Sequence, residues 1–277
     1  MAFRASGGIA GHVGQAGNHL KGGKGSFVAE TKRVSPVYKA LKGLVWALSP
    51  KMRVEGLENL PEGEAVIVGN HAQIYGPIAA ELYLGGNRYT WCMAQMMKLK
   101  EVPAYAFQDF WSGKPRYTHW FYRLLSYLIA PLSVLIFNNA RTIPVYQDAR
   151  VMITFRQTLR LLGEGAKIVI FPEHNAPHNN IVYDFRDRFI DLGRMYYQMT
   201  RKELCFVPMY VAPRLKKLVL GKPVRYRASQ PPEQERQRIK QALMDAVTQL
   251  GRSLPPHTVI PYAVMPRREY PSSRTDG

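Results

Sequence analysis

Acidic side chains and cysteines are scarce in this sequence. Only 20 Asp and Glu stand against 38 Lys and Arg, a formal net charge of +18 over 277 residues. An acidic solvating chain is therefore excluded, and a polyanionic partner is favoured: nucleic acid, an anionic membrane face or phosphorylated substrates. The two cysteines, Cys92 and Cys205, both lie in apolar runs, which argues against a disulfide framework and for a reducing compartment. No RNA-binding motif, zinc-finger spacing or recognition-helix pattern is present, so nucleic acid ranks behind a membrane surface as the partner. No uninterrupted apolar run follows Arg4, so no secretory signal is expected. The most hydrophobic stretch, residues 119–137, is broken by Arg123 and Pro131, and reads as a buried or membrane-dipping helix more than a span.

What is present is 46% hydrophobic residues, enough for a sizeable core, and an uneven distribution of charge. Residues 1–53 hold nine Lys and Arg against the single acid Glu30. Eight glycines fall in the first 25 residues, so residues 1–33 are expected to form a disordered basic arm. Residues 35–48 then read as a helix, with Ser35 as its cap and Pro36 in the first turn. Val37, Leu41, Leu44, Val45 and Leu48 form an apolar stripe flanked by Lys39 and Lys42. It is too short to cross a bilayer and is expected to lie at a membrane interface.

From residue 51 onward, strand and helix patterns alternate. Strands are expected at 64–70, 88–94, 141–146, 166–173, 204–213 and 218–226, and helices after Pro77 and over 119–137, 147–165, 181–200 and 231–254. The pattern predicts one α/β domain over 34–254, a largely parallel mixed sheet flanked by helices, followed by a loose tail, 255–277. In such folds chemistry gathers at the carboxyl ends of the strands. His71 and Glu173 both fall there, but no carboxylate lies within four residues of His71 in the sequence.

The order of four short blocks resembles the glycerolipid acyltransferase family, which includes the 1-acylglycerol-3-phosphate acyltransferases. Asn70-His71-Ala72-Gln73-Ile74-Tyr75-Gly76 resembles its histidine block, and Arg141-Thr142-Ile143-Pro144-Val145-Tyr146-Gln147 its second block. Phe171-Pro172-Glu173-His174-Asn175-Ala176 is similar to its third, and Val207-Pro208 to its fourth. The resemblance spans roughly residues 35–252. It implies O-acyl transfer in phospholipid biosynthesis, from acyl-CoA or acyl-carrier protein to a lysophospholipid or related lipid hydroxyl, by a peripheral protein on the cytoplasmic membrane face. His71 would be the general base, with Glu173 and Glu81 as candidate carboxylates. Asn70, Gln73, Arg141, His174, Asn175, His178 and Arg186 would bind substrate. No metal or tightly bound cofactor is implied.

The departures fall at the centre of the implied chemistry. Gly76 stands where the family has its aspartate, Gln147 at an arginine, and His174 and Ala176 at a glycine and an arginine. Three readings of Gly76 stay open. Another acid, Glu81, Glu173 or Asp109, reaches His71 through space; a backbone carbonyl or Tyr75 orients the ring; or catalysis is lost and the chain is an acyltransferase-like membrane or lipid-binding protein. His174 and His178 with Glu173 and His71 also form a weak metal pattern, against which Pro177 argues, because the pair shares a face only on a helix.

Overall fold

The computed structural model describes residues 35–49 and 51–274. The basic arm expected over 1–33 lies outside them. The strands are β1 Arg53–Glu55, β2 Ala65–Gly69, β3 Arg88–Met93, β4 Thr142–Val145, β5 Lys167–Ile170, β6 Glu173–Pro177, β7 Tyr183–Phe185, β8 Cys205–Ala212, β9 Lys217–Leu220 and β10 Val224–Arg225. The helices are α1 Pro36–Leu48, α2 Tyr75–Tyr83, α3 Val102–Ala106, α4 His119–Asn139, α5 Val151–Gly163, α6 Asp191–Thr200 and α7 Pro232–Ser253.

Eight strands form the main sheet in the order β1-β9-β8-β2-β5-β3-β4, with β10 also on β8. The neighbours β8, β2, β5, β3 and β4 run parallel, while β9 and β10 are antiparallel to β8. The expected largely parallel mixed sheet flanked by helices is the observed one. Burial on both faces explains the continuous apolar runs of the central strands. Every residue of β2 and β8 is buried. On one face Val66, Val68, Ile168, Ile170 and Phe206 pack with Leu162, Leu192, Leu243 and Val247 from α5, α6 and α7. On the other, Ala65, Ile67, Val169, Val207 and Met209 pack with Ala79 and Ala80 of α2.

Three expectations need correction. Residues 181–200 are not one helix: β7 comes first and pairs antiparallel with β6, and α6 starts only at Asp191. The Asn179 side chain accepts the N–H groups of Ile181 (2.8 Å) and Val182 (3.0 Å), closing a turn that a helical reading overlooks. The Ser35 side chain does not cap α1; its backbone N–H donates to Asn139 Oδ1 at 2.8 Å. Residues 255–274, expected to be loose, are tied down. Thr258 bridges to Ser272, buried His257 meets Tyr210 Oη at 2.9 Å, and Asn180 Nδ2 donates to the Ser272 carbonyl at 2.7 Å.

Pro131 lies inside α4 without ending it. By length and composition the helix Arg116–Asn139 is sufficient to cross a membrane, with mean hydropathy 1.6. Its small residues Ser126, Ala130 and Ser133 turn inward, and Ala130 packs in a small cluster with Val102 and Ala106 of α3. Its large residues turn outward: Trp120 is 70% exposed, Tyr127 and Leu128 68%, and Phe121, Leu124 and Leu132 are exposed with them. α1 behaves alike, burying only Tyr38 and exposing Val37, Leu44, Trp46 and Leu48.

Candidate active site

The parallel strands β2 and β5 deliver Asn70-His71 and Phe171-Pro172-Glu173 to the same edge of the sheet. Asn70 is buried, and its side chain continues the β2–β8 ladder as a backbone amide would. Oδ1 accepts the Val211 N–H at 2.7 Å and Nδ2 donates to the Val211 carbonyl at 3.2 Å. Asn70 was expected to bind substrate, but both polar ends of its amide are spent on β8.

The chain then turns sharply. Ala72 and Gln73 adopt left-handed conformations, with φ of 44° and 55°, which non-glycine residues rarely enter. The Tyr75 and Gly76 N–H groups close the turn on the carbonyls of Ala72 (3.1 Å) and His71 (3.0 Å). This turn swings the Gln73 carbonyl onto His71 Nδ1, which hydrogen-bonds to it. A carbonyl can only accept, so Nδ1 carries the proton and Nε2 keeps its lone pair. Among the described residues Nε2 has no hydrogen-bond partner. The ring is wedged edge-on between Phe171 (centroids 5.4 Å apart) and Tyr262 (5.8 Å). Burial holds the His71 pKa below 6.5, against the opposing pull of the Gln73 carbonyl. The imidazole is thus neutral at pH 7.

Neither carboxylate expected to serve the ring hydrogen-bonds to it. Glu173 is buried; its Oε2 accepts the backbone N–H of His71 at 2.5 Å and its Oε1 that of Tyr183 at 2.8 Å. Burial pushes its pKa up to about 7 despite the two amides. It ties the β6–β7 hairpin to the backbone of the histidine turn, rather than facing an open cleft. Glu81 lies elsewhere. A helix that follows a parallel strand runs back along the sheet, so α2 carries Glu81 away from His71, to Tyr38 Oη (3.1 Å), Lys42 and Arg88 (3.2 Å). The Asp109 side chain lies outside what is described.

Gly76 occupies a position closed to any side chain. A Cβ there would lie 2.5 Å from the His71 carbonyl oxygen, 2.7 Å from that of Asn70 and 2.9 Å from the Phe171 ring. Of the three readings of Gly76, the observed contact is the backbone carbonyl.

The remaining predicted residues divide. Gln73 stays at the site, its Nε2 donating to Tyr270 Oη at 2.9 Å. Exposed Arg186 follows the hairpin, its N–H on the Pro172 carbonyl at 2.9 Å. His174 points to the opposite side of β6 from Glu173, with Nε2 3.0 Å from Asp184, whose carboxylate also meets Lys240. Asn175 and His178 are exposed on the hairpin. Because residues 173–177 form a strand and His178 follows its end, His174 and His178 do not share a helical face. Among the described residues no three His, Cys, Asp or Glu side chains group to hold a metal. Arg141 opens β4 at the far, amino edge of the sheet and does not join His71.

Sequence reasoning missed Tyr262 and Tyr270, because their segment reads as proline-rich tail. It missed the turn geometry too, since Ala-Gln carries no glycine or asparagine signal for left-handed backbone. Compared with known proteins, the chain matches no family model and no curated protein. It is similar in structure to the 1-acyl-sn-glycerophosphate (LPA) acyltransferase PlsC from Thermotoga maritima, at 15% sequence identity and a TM-score of 0.45, over 77% of this chain and 80% of that one.

Proposed function

We propose that this protein is a membrane-associated O-acyltransferase. It moves a fatty acyl group from a coenzyme A or acyl-carrier-protein thioester to a lysophospholipid or related lipid hydroxyl. The observation that carries this reading is His71, set at the carboxyl edge of the sheet with Nδ1–H fixed on a carbonyl and Nε2 without a hydrogen-bond partner among the described residues. The ordered sequence blocks from Asn70 to Pro208 agree with it.

Nε2 takes the acceptor's hydroxyl proton as that oxygen attacks the thioester carbonyl. The C–S bond then breaks, and the thiolate leaves with the proton returned by the imidazolium. The Gln73 carbonyl fixes the tautomer this requires. It carries no full negative charge to stabilise the imidazolium, so turnover is slower than with a carboxylate partner. The outward apolar faces of α1 and α4 suit helices lying in the interface of an anionic membrane on its cytoplasmic side. The donor is a substrate, and no resident cofactor is needed.

A second reading keeps the membrane attachment without catalysis, and the absence, among the described residues, of a carboxylate hydrogen-bonded to the His71 ring favours it. Acyl transfer to a panel of lysolipid acceptors, for the wild type and His71→Ala, decides between them. Turnover that disappears in the variant supports catalysis. No wild-type turnover with any donor, or a fully active variant, leaves lipid binding alone.

A further inference from the structure

At the amino edge of the sheet, away from His71, Lys39, Lys42, Arg88 and Arg141 line a cleft of about 290 Å³ with Tyr38 and Glu81. Strand register separates the two places. Arg88 is level with Lys167 and Ala65, and Ala65 lies six residues before His71, about 20 Å along the strand. We propose that this cleft binds the phosphate headgroup of an anionic membrane lipid, as an anchor distinct from the acyl-transfer site. The inference rests on the membrane attachment proposed above and names the chemistry that anchors it.

Charge is the first support. Four cations surround one carboxylate, and Glu81 is already shared by Lys42, Arg88 and the Tyr38 hydroxyl. Among the described residues Lys39 and Arg141 have no carboxylate partner, and the Arg141 guanidinium donates only to Asn87 Oδ1, at 3.4 Å. Rigidity is the second. The Arg88 side chain is only 11% exposed and is tied to the carbonyls of Ala80 (3.0 Å) and Glu81. An anion meeting it finds a preorganised donor. Burial lowers the Arg88 pKa against the opposing pull of Glu81, and like charge from Arg141 adds to the lowering, a smaller repulsion that a bound phosphate relieves.

Position selects a lipid over a free phosphate ester. α1 supplies Lys39 and Lys42 to the cleft and also exposes Val37, Leu44, Trp46 and Leu48. The end of α4 touches α1 through Asn139 and Ser35. An amphiphile seated in the cleft therefore has apolar helix surface beside its headgroup.

The 277-residue chain is tested by sedimentation with phosphatidylcholine vesicles, with and without phosphatidylglycerol. Lys39→Gln/Arg141→Gln is compared with Lys222→Gln/Arg252→Gln, an equal charge loss at exposed residues outside the cleft, and equal thermal midpoints establish that both fold. The cleft variant is expected to lose about thirty-fold in phosphatidylglycerol-dependent binding, two side chains at about 1 kcal/mol each, while the control loses less than threefold. Equal losses in the two variants overturn the cleft in favour of diffuse surface charge. Competition by millimolar glycerol 3-phosphate overturns the lipid assignment in favour of a soluble phosphate ester. If the wild type ignores phosphatidylglycerol but binds phosphatidylcholine, the headgroup site is wrong and membrane attachment stands. If it binds no vesicles, both fall, while the turnover assay with detergent-dispersed acceptor still judges catalysis.

Discussion

The Gln73 carbonyl holds Nδ1 of His71 within a single turn, two residues apart in sequence. The role a carboxylate plays beside many catalytic histidines is taken here by backbone, and the left-handed Ala72–Gln73 pair is what brings the carbonyl round.

Because burial depresses the His71 pKa, the base is neutral through pH 7 and is lost only as the pH falls through a value below 6.5. The acid limb of kcat/KM is expected to inflect below 6.5, and His71→Gln to remove about 10²–10⁴ of the rate across the whole profile. An inflection that survives in the variant would assign the titration to another group.

Glu173 makes stability depend on pH. Its folded pKa, about 7, lies above its ordinary 4.5. The contribution of this group is fully present below pH 4.5 and is lost as the pH rises through 7, on the order of 3 kcal/mol in all. Glu173→Gln presents its NH₂ to one of the two amide donors, so it is expected to be less stable. It also loses this contribution to the pH slope, seen as the difference between wild-type and variant denaturation curves from pH 4.5 to 8.

Restoring an acid at position 76 is expected to do harm. The carbonyls of His71 and Asn70 close on that Cβ, so Gly76→Ala costs about 1–3 kcal/mol, and Gly76→Asp raises neither stability nor turnover. Chemical denaturation and the acyl-transfer assay check both.

Tyr270→Phe keeps the ring and frees the Gln73 side chain. Stability is expected to drop by only about 1 kcal/mol. A several-fold fall in kcat with KM unchanged identifies Tyr270 as a positioning residue; parallel changes in both constants mark it as a binding contact.

Leu124→Glu/Leu128→Glu places charge on the outward face of α4. Both positions are exposed, so the thermal midpoint is expected to stay within experimental error of wild type. Vesicle sedimentation, including on neutral lipid, is expected to fall sharply, and retention of binding would remove α4 from the membrane-facing surface.

The fold was legible in the sequence where burial is two-sided. The runs ending at Gly69, Ile170 and Ala212 are buried strands because no polar alternation interrupts them, and the amphipathic stripes of α5 and α7 name their own core face. The site was legible only as far as His71, whose place after a buried strand before a helix marks the carboxyl edge. Its partner was not, since a backbone carbonyl leaves no residue-type signal. Asn70, Glu173 and Glu81 look alike as polar residues near a motif. Only three-dimensional pairing shows one clamping β8, one bridging two backbone amides and one carried by α2 to the opposite edge.

The α3–α4 hairpin has a small core of its own, with Val102, Ala106 and Ala130 buried and Met96, Trp111, Ile129 and Val134 packed on them, apart from the two clusters that sandwich the sheet. Such a unit is expected to open without unfolding the rest. Its backbone amides are expected to exchange with solvent deuterium well before those of β2, β5 and β8, and to slow when vesicles are added. Under the membrane attachment proposed above, the hairpin is the part of the protein whose local stability would be set by the bilayer rather than by the fold.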